Sequence, residues 1–175
     1  EATRLYASMG PGREVSGGSG SNAAVGMAAL GRRVNFIGRV SSDQLGEVFA
    51  HDIRASGVDF TTPYAADDTP TGRCLILVTP DAQRTMNTFL GTSAMLSAAD
   101  VDYDLIAASP LTYLEGYLWD AAEPRTAMAK ACEVAHANGR RVSFTLSDVF
   151  CVERHRADFL RLAHGGVDIL FANEN

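Results

Sequence analysis

Ser16-Gly17-Gly18-Ser19-Gly20-Ser21-Asn22 runs directly into Ala23-Ala24-Val25-Gly26-Met27-Ala28-Ala29-Leu30 and stops at Gly31. The first part carries no side chain large enough to screen its own backbone, so its N–H groups are open to a ligand. The second part is small, apolar and alanine-rich. It predicts a tightly packed helix over 22–30 with a glycine stop. Asn22, at the expected helix start, offers both donor and acceptor, which suits sugar hydroxyls. It reads also as the N-cap of an ordinary Gly-rich turn.

Gly18-Ser19-Gly20-Ser21-Asn22-Ala23 formally fits a dinucleotide fingerprint, with Asp43 placed where a ribose-binding acid would stand. That fingerprint must follow a buried strand, and Gly12-Arg13-Glu14-Val15-Ser16 has one apolar residue. Asp43 sits in Ser41-Ser42-Asp43, where a helix N-terminus suits it. The loop is therefore read as gripping a small polar substrate, with an NAD-binding oxidoreductase kept as an alternative.

Outward from the loop, short β-rich runs alternate with amphipathic ones. Ala2–Met9 reads as a helix end and Glu14–Ser16 as a short extended piece. Arg33–Val40 is expected to be a buried strand. Asp43–Ala55 is expected to be a helix with Leu45, Val48, Phe49 and Ile53 on one face. Thr71–Thr79 and Arg84–Leu90, joined by Pro80-Asp81-Ala82-Gln83, have the signature of a hairpin. Leu111–Tyr117, Arg141–Ser147 and Val167–Ala172 read as strands, Ala121–Asn138 and Glu153–His164 as helices. Strand and helix alternating every 25–35 residues or so implies an α/β fold with a parallel sheet. The hairpin is then an insertion, read as a lid. No strong first strand opens the sequence, and it stops after an apolar strand that should be central. The expectation is an incomplete N-terminal part of a longer chain.

Fifteen Lys and Arg against 21 Asp and Glu give a net charge of −6, and Lys130 is the single lysine. Nucleic acid and anionic membranes need clustered positive charge, so neither is expected as a partner. Cys74, Cys132 and Cys151 are odd in number and have no metal-type spacing, which points to a reducing, cytoplasmic setting. No apolar run approaches a membrane span, and Glu1–Gly12 lacks a signal-peptide layout.

Several polar residues stand out. Glu115 lies within an apolar strand, where a carboxylate needs a partner. Asp148, just after a strand, is either an N-cap or a site acid. His51, His136, His155 and His164 follow helical faces and read as solvated or capping groups. Ser97-Ala98-Ala99-Asp100 reads as a helix start rather than the edge of a metal-binding run through Asp102 and Asp104.

Ser16–Asn22, Ala23–Leu30, Gly31, Gly38 and the Asp43…Gly46 pair together resemble the N-terminal signature of the PfkB/ribokinase-like carbohydrate and nucleoside kinases. Pro70-Thr71-Gly72-Arg73-Cys74 with Arg84–Gly91 resembles that family's lid strands, and Val167–Asn175 the strand leading into its Asn-x-x-Glu motif. The adenosine-kinase-like branch is most similar, because the loop is Gly-Gly-Ser without lysine and Cys74 follows Thr-Gly-Arg. The resemblance implies a three-layer α/β/α ribokinase-like fold over 1–175, with a small β-rich lid drawn from about 13–40 and 58–92. It implies an ATP- and Mg²⁺-dependent phosphotransferase acting on a hydroxyl of adenosine or a related sugar. Ribokinase- or fructokinase-type sugar kinases and a non-catalytic binding module remain alternatives.

Residue by residue, the resemblance implies that Gly17, Gly18 and Ser19 contact the acceptor sugar and Asn22 its hydroxyls. Cys74, Met86 and Thr88 would line the lid side, and Tyr117 and Phe150 would form an aromatic wall. Cys74, Met86, Tyr117 and Phe150 read equally as packing residues. Asn173 would be the Asn that organises Mg²⁺ and phosphate. The family's Gly-Ala-Gly-Asp anion hole and its early sugar-binding aspartate have no counterpart here, so no general base and no metal ligand is assigned. The expected assembly is a monomer, or a homodimer through the lid.

Overall fold

Val34, Val40, Val58 and Phe60 are buried together with Ala24, Ala50 and Ile53, and around that core the N-terminal half is built. The computed structural model describes residues 2–174. They form two compact units divided at Ser93/Ala94. In the first unit a short helix α1 (Ala2–Ser8) precedes α2 (Ser19–Ala29) and α3 (Gln44–Ala55). Phe36, Phe49 and Phe60 meet in a triangle with ring centroids 5.8–5.9 Å apart. Such tilted and edge-on pairs favour the aromatic quadrupole.

Arg33–Val40 is not a continuous strand. It is an extended segment bridged in parallel to 59–65 at only two points, Asn35 with Asp59 and Ser41 with Ala65. Phe36 N–H donates to Asp59 O, Asp59 N–H to Val34 O, and Ala65 N–H to Val40 O. In the register common to both bridges Pro63 falls opposite Arg39, and proline has no N–H to give the ladder. The burial expected of this segment holds only at Val34 and Val40, with Arg33 and Asn35 exposed and 36–39 half-buried, and its ladder does not form. The expected face of α3 also shifts. Gly46, Ala50 and Ile53 are buried, whereas Val48 is exposed.

β1 (Arg73–Val78) and β2 (Arg84–Phe89) form the antiparallel hairpin. Thr79 N–H bonds Gln83 O, and Ala82 adopts φ 63° to close the turn, a conformation glycine usually supplies.

The second unit contains α4 (Tyr103–Ala108), β3 (Leu111–Glu115), α5 (Ala122–Ala137), β4 (Arg141–Thr145), α6 (Val149–Arg161) and β5 (Ile169–Phe171). The strands are parallel in the order β3-β4-β5. Crossovers are right-handed, so this order carries α5 and α6 onto the same face. There Met128 of α5 and Cys151 and Phe159 of α6 enclose Phe144, with Trp119 beside them. Phe144 is 0% exposed, and its burial contributes about 2–3 kcal/mol.

Three expectations in this unit are corrected. Ser97–Asp100 is a closed turn, with Ser97 N–H and Oγ both donating to Asp100, and the helix begins only at Tyr103 under an Asp102 cap. The strand expected to reach Tyr117 ends at Glu115 and gives way to a 3₁₀ turn over Gly116–Asp120. Helix α6 begins at Val149 rather than Glu153, because Asp148 Oδ1 accepts from Cys151 N–H at 2.8 Å.

Candidate functional site

The glycine loop belongs to the first unit. No strand precedes it among the described residues, so the context of a dinucleotide fingerprint is missing. The helix starts at Ser19, three residues before the expected point, and Asn22 is an exposed residue of its first turn rather than the cap. Gly18 caps it at φ 118°, a conformation that favours glycine. Ser21 Oγ donates back to Gly17 O at 2.8 Å and Gly18 O at 3.0 Å, and Asn22 N–H bonds Gly18 O. Upstream, Ser16 Oγ donates to Asp52 Oδ2 of α3 at 2.6 Å. The loop is thus fixed at both ends. A Cβ placed on Gly17 meets no atom within 4 Å, so one side of the loop is open.

Alternation along the hairpin sets the second group. Cys74 stands opposite Thr88, and Ile76 opposite Met86, so Cys74, Met86 and Thr88 share a face. Cys74 Sγ and Thr88 Oγ1 are 3.2 Å apart. Met86 is 59% exposed, so it is not a core residue of the hairpin.

The third group sits at the carboxyl ends of β3, β4 and β5, where open α/β sheets bind ligands. Tyr117 and Phe150 are 41% and 62% exposed. Asn173 follows β5 by two residues and is exposed; Asn175 of the same motif lies outside the described residues. Ser147, which sequence reasoning passed over, joins the loops after β3 and β4. Its backbone adopts φ 70°, and its Oγ accepts from Tyr117 N–H at 3.0 Å. Burial raises the Tyr117 hydroxyl above its ordinary range, helped by the charges of Asp148, Cys151 and Glu115 and a hydrogen bond to Asp148. Asp148 is therefore the N-cap of α6, with Tyr117 at its carboxylate. Glu115 has a partner too: Tyr113 Oη donates to Glu115 Oε1 at 3.2 Å, and burial with that charge pushes Tyr113 up to about 12.

The histidines divide. His51 and His136 pair with Asp52 and Asp168 at 3.0 Å on the surface. His155 corrects the expectation of a solvated group. Its side chain is 14% exposed and bonds Asp120 at 2.6 Å, while Arg154 grips the same carboxylate with two contacts of 3.0 Å. Among the described residues no group of three or more His, Cys, Asp or Glu could hold a metal ion. Among the same residues no helix is long and apolar enough to cross a membrane.

Residues 10–175 match the model of the pfkB family carbohydrate kinases. The crystal structure of adenosine kinase from Sinorhizobium meliloti is 51% identical, with a TM-score of 0.92 over 98% of this chain and 53% of that one. The probable sugar kinase from Rhizobium etli CFN 42 is 48% identical, with a TM-score of 0.92 over 98% of this chain and 52% of that one. A fructokinase of Salmonella typhimurium is 30% identical over 128 residues, covering 73% of this chain and 42% of the fructokinase. The chain spans about half the length of the solved relatives and less of the fructokinase.

Proposed function

The chain belongs to the pfkB family of carbohydrate kinases, and on that premise we propose that its protein transfers a phosphoryl group from ATP to a hydroxyl of adenosine or a closely related ribose-containing acceptor. The observation that carries the acceptor class is the 51% identity, over 98% of the chain, to an adenosine kinase. The exposed rings of Tyr117 and Phe150 support it, because a flat base is best held on aromatic faces. The probable sugar kinase at 48% identity favours the second reading, a simple sugar as acceptor.

In this reading the Gly17–Ser19 backbone and Asn22 take the acceptor hydroxyls, and the hairpin acts as a lid carrying Cys74, Met86 and Thr88. Phosphoryl transfer competes with hydrolysis, so a lid that excludes water serves the reaction. Asn173 would stand on the phosphate side. In this reading ATP would supply the phosphoryl group, and Mg²⁺ bound with it would neutralise charge. The described residues contribute binding and orientation rather than a general base. The three free cysteines, two of them buried, fit a reducing cytoplasm.

The test uses the product of the complete reading frame. ATP-dependent phosphorylation of adenosine, with a thermal shift by adenosine and none by free ribose, is the expected result. Turnover of ribose or fructose in preference to adenosine would move the assignment to the sugar reading. Inactivity toward nucleosides and sugars alike would sink the kinase proposal.

A further inference from the structure

Asp43 does more than a helix cap requires. Its Oδ1 accepts from Gly46 N–H at 2.9 Å, which is the N-cap bond of α3. Its Oδ2 accepts from Thr71 N–H at 2.8 Å, at the root of β1. Thr71 is buried, and its Oγ1 accepts from Ser41 N–H at 2.9 Å. Gly46 leaves no slack beneath this knot, because a Cβ there would stand 1.9 Å from Ser41 O and 2.9 Å from Thr71 Oγ1. The root of β2 is tied to the same segment. The fully buried Thr92 accepts from Arg39 Nε at 2.9 Å, and its N–H donates to Pro70 O at 3.0 Å. From Arg73 to Leu90, by contrast, every residue is exposed or half-buried.

We infer that Asp43 is a positioning residue for the hairpin: by holding Thr71 it sets where the face bearing Cys74, Met86 and Thr88 stands over the acceptor. The inference rests on the reading of the hairpin as a lid. Its chemistry allows the two duties of Asp43 to be separated. Asparagine has one oxygen and so can accept from Gly46 N–H or from Thr71 N–H, but not from both. Serine keeps a cap and supplies no second oxygen.

The experiment compares wild type with Asp43→Asn and Asp43→Ser in the complete protein, by residue-resolved amide exchange and steady-state kinetics. Faster exchange at Thr71, by about tenfold, with Gly46 still protected is expected in Asp43→Ser, while Asp43→Asn loses protection at one of the two amides. Where Thr71 is released, the acceptor KM should rise about tenfold while kcat changes less than about twofold, since the lid grips the acceptor but does no chemistry. Unchanged protection at Thr71 in Asp43→Ser would overturn the anchor. Release of Thr71 with an unaltered acceptor KM would overturn the positioning role. Inactivity of the unsubstituted protein would sink the kinase reading alone, and the exchange result would still decide the anchor.

Discussion

Ser147 Oγ accepts the backbone N–H of Tyr117 across 3.0 Å while its own backbone is held at φ 70°. One residue thereby fixes the loop after β3 against the loop after β4. Nearby, a Cβ on Gly116 would lie 3.0 Å from Leu146 O and 3.1 Å from Ser147 Oγ. Ser147→Ala keeps the strained backbone and loses the acceptor, at a cost of about 1 kcal/mol. Ser147→Val puts a β-branched residue at positive φ and costs about 2 kcal/mol or more. Ser147→Gly relieves the backbone while losing the bond and falls nearest wild type. Urea denaturation ranks the three, and a valine variant as stable as glycine contradicts the strain at this position.

Two glycines of the first unit carry opposite expectations. A Cβ at Gly46 collides with Ser41 O, a backbone atom that cannot rotate away. Gly46→Ala is expected to destabilise by on the order of 3 kcal/mol, or to prevent folding. Gly17 faces open space, so Gly17→Ala changes stability by less than about 0.5 kcal/mol. If its open side receives the acceptor, the same methyl weakens acceptor binding about tenfold or more. Melting temperature and acceptor affinity measured together separate the two roles. Wild-type affinity in Gly17→Ala removes the loop from the acceptor site.

Acid stability follows from how the aspartates are held, Asp43, Asp120, Asp158 and Asp168 among them. Burial works against Asp43, but the hydrogen bonds from Thr71 and Gly46 prevail and leave its carboxyl below the ordinary 3.8. His155 and Arg154 depress Asp120, Trp119 depresses Asp158, and the Val142 N–H with His136 depresses Asp168. Each carboxylate is bound more tightly to the fold when charged, so the unfolded chain takes up protons first as pH falls. Their contribution is complete above about pH 5 and is lost as pH falls through 3.8 and the lowered folded values. The urea midpoint should therefore drop between pH 5 and 3, and Asp43→Asn should flatten part of that drop. A midpoint constant over that range contradicts the assignment.

The parts of this fold that repeat along the chain were legible in the sequence, and the parts that depend on distant partners were not. Helix α5 was readable because Pro124 near its first turn and Gly139 after its end bracket a long periodic run. The start of α6 was missed because Val149-Phe150-Cys151-Val152 has the composition of a strand, and only the Asp148 cap identifies it as helix. In the segment 33–40 only Val34 and Val40 are buried and the ladder is broken, since Pro63 in another segment has no N–H to give it. Asp43 was visible as a cap from its neighbours. Its second bond, to Thr71, comes from a residue 28 positions away that no local pattern announces. The Gly17–Asn22 loop was found by composition, yet its helix begins earlier than Asn22, because Gly18 itself takes the cap position.

Cys74 gives the most direct chemical probe of the proposed lid face. Cys132 and Cys151 are buried, and burial pushes each thiol up to about 11, which leaves little thiolate at neutral pH. Cys74 is half-buried on the hairpin, with Thr88 Oγ1 at hydrogen-bond distance from its sulfur. A disulfide reagent at pH 8 is expected to titrate about one thiol quickly in the folded protein and all three after denaturation. Cys74→Ser should abolish the fast phase while leaving the fold intact. If Cys74 lines the acceptor site, saturating acceptor slows the fast phase about tenfold or more, whereas an unrelated sugar leaves it unchanged. Reaction of all three thiols at one rate would contradict the burial of Cys132 and Cys151. An acceptor that binds without protecting Cys74 would take this face of the hairpin out of the site.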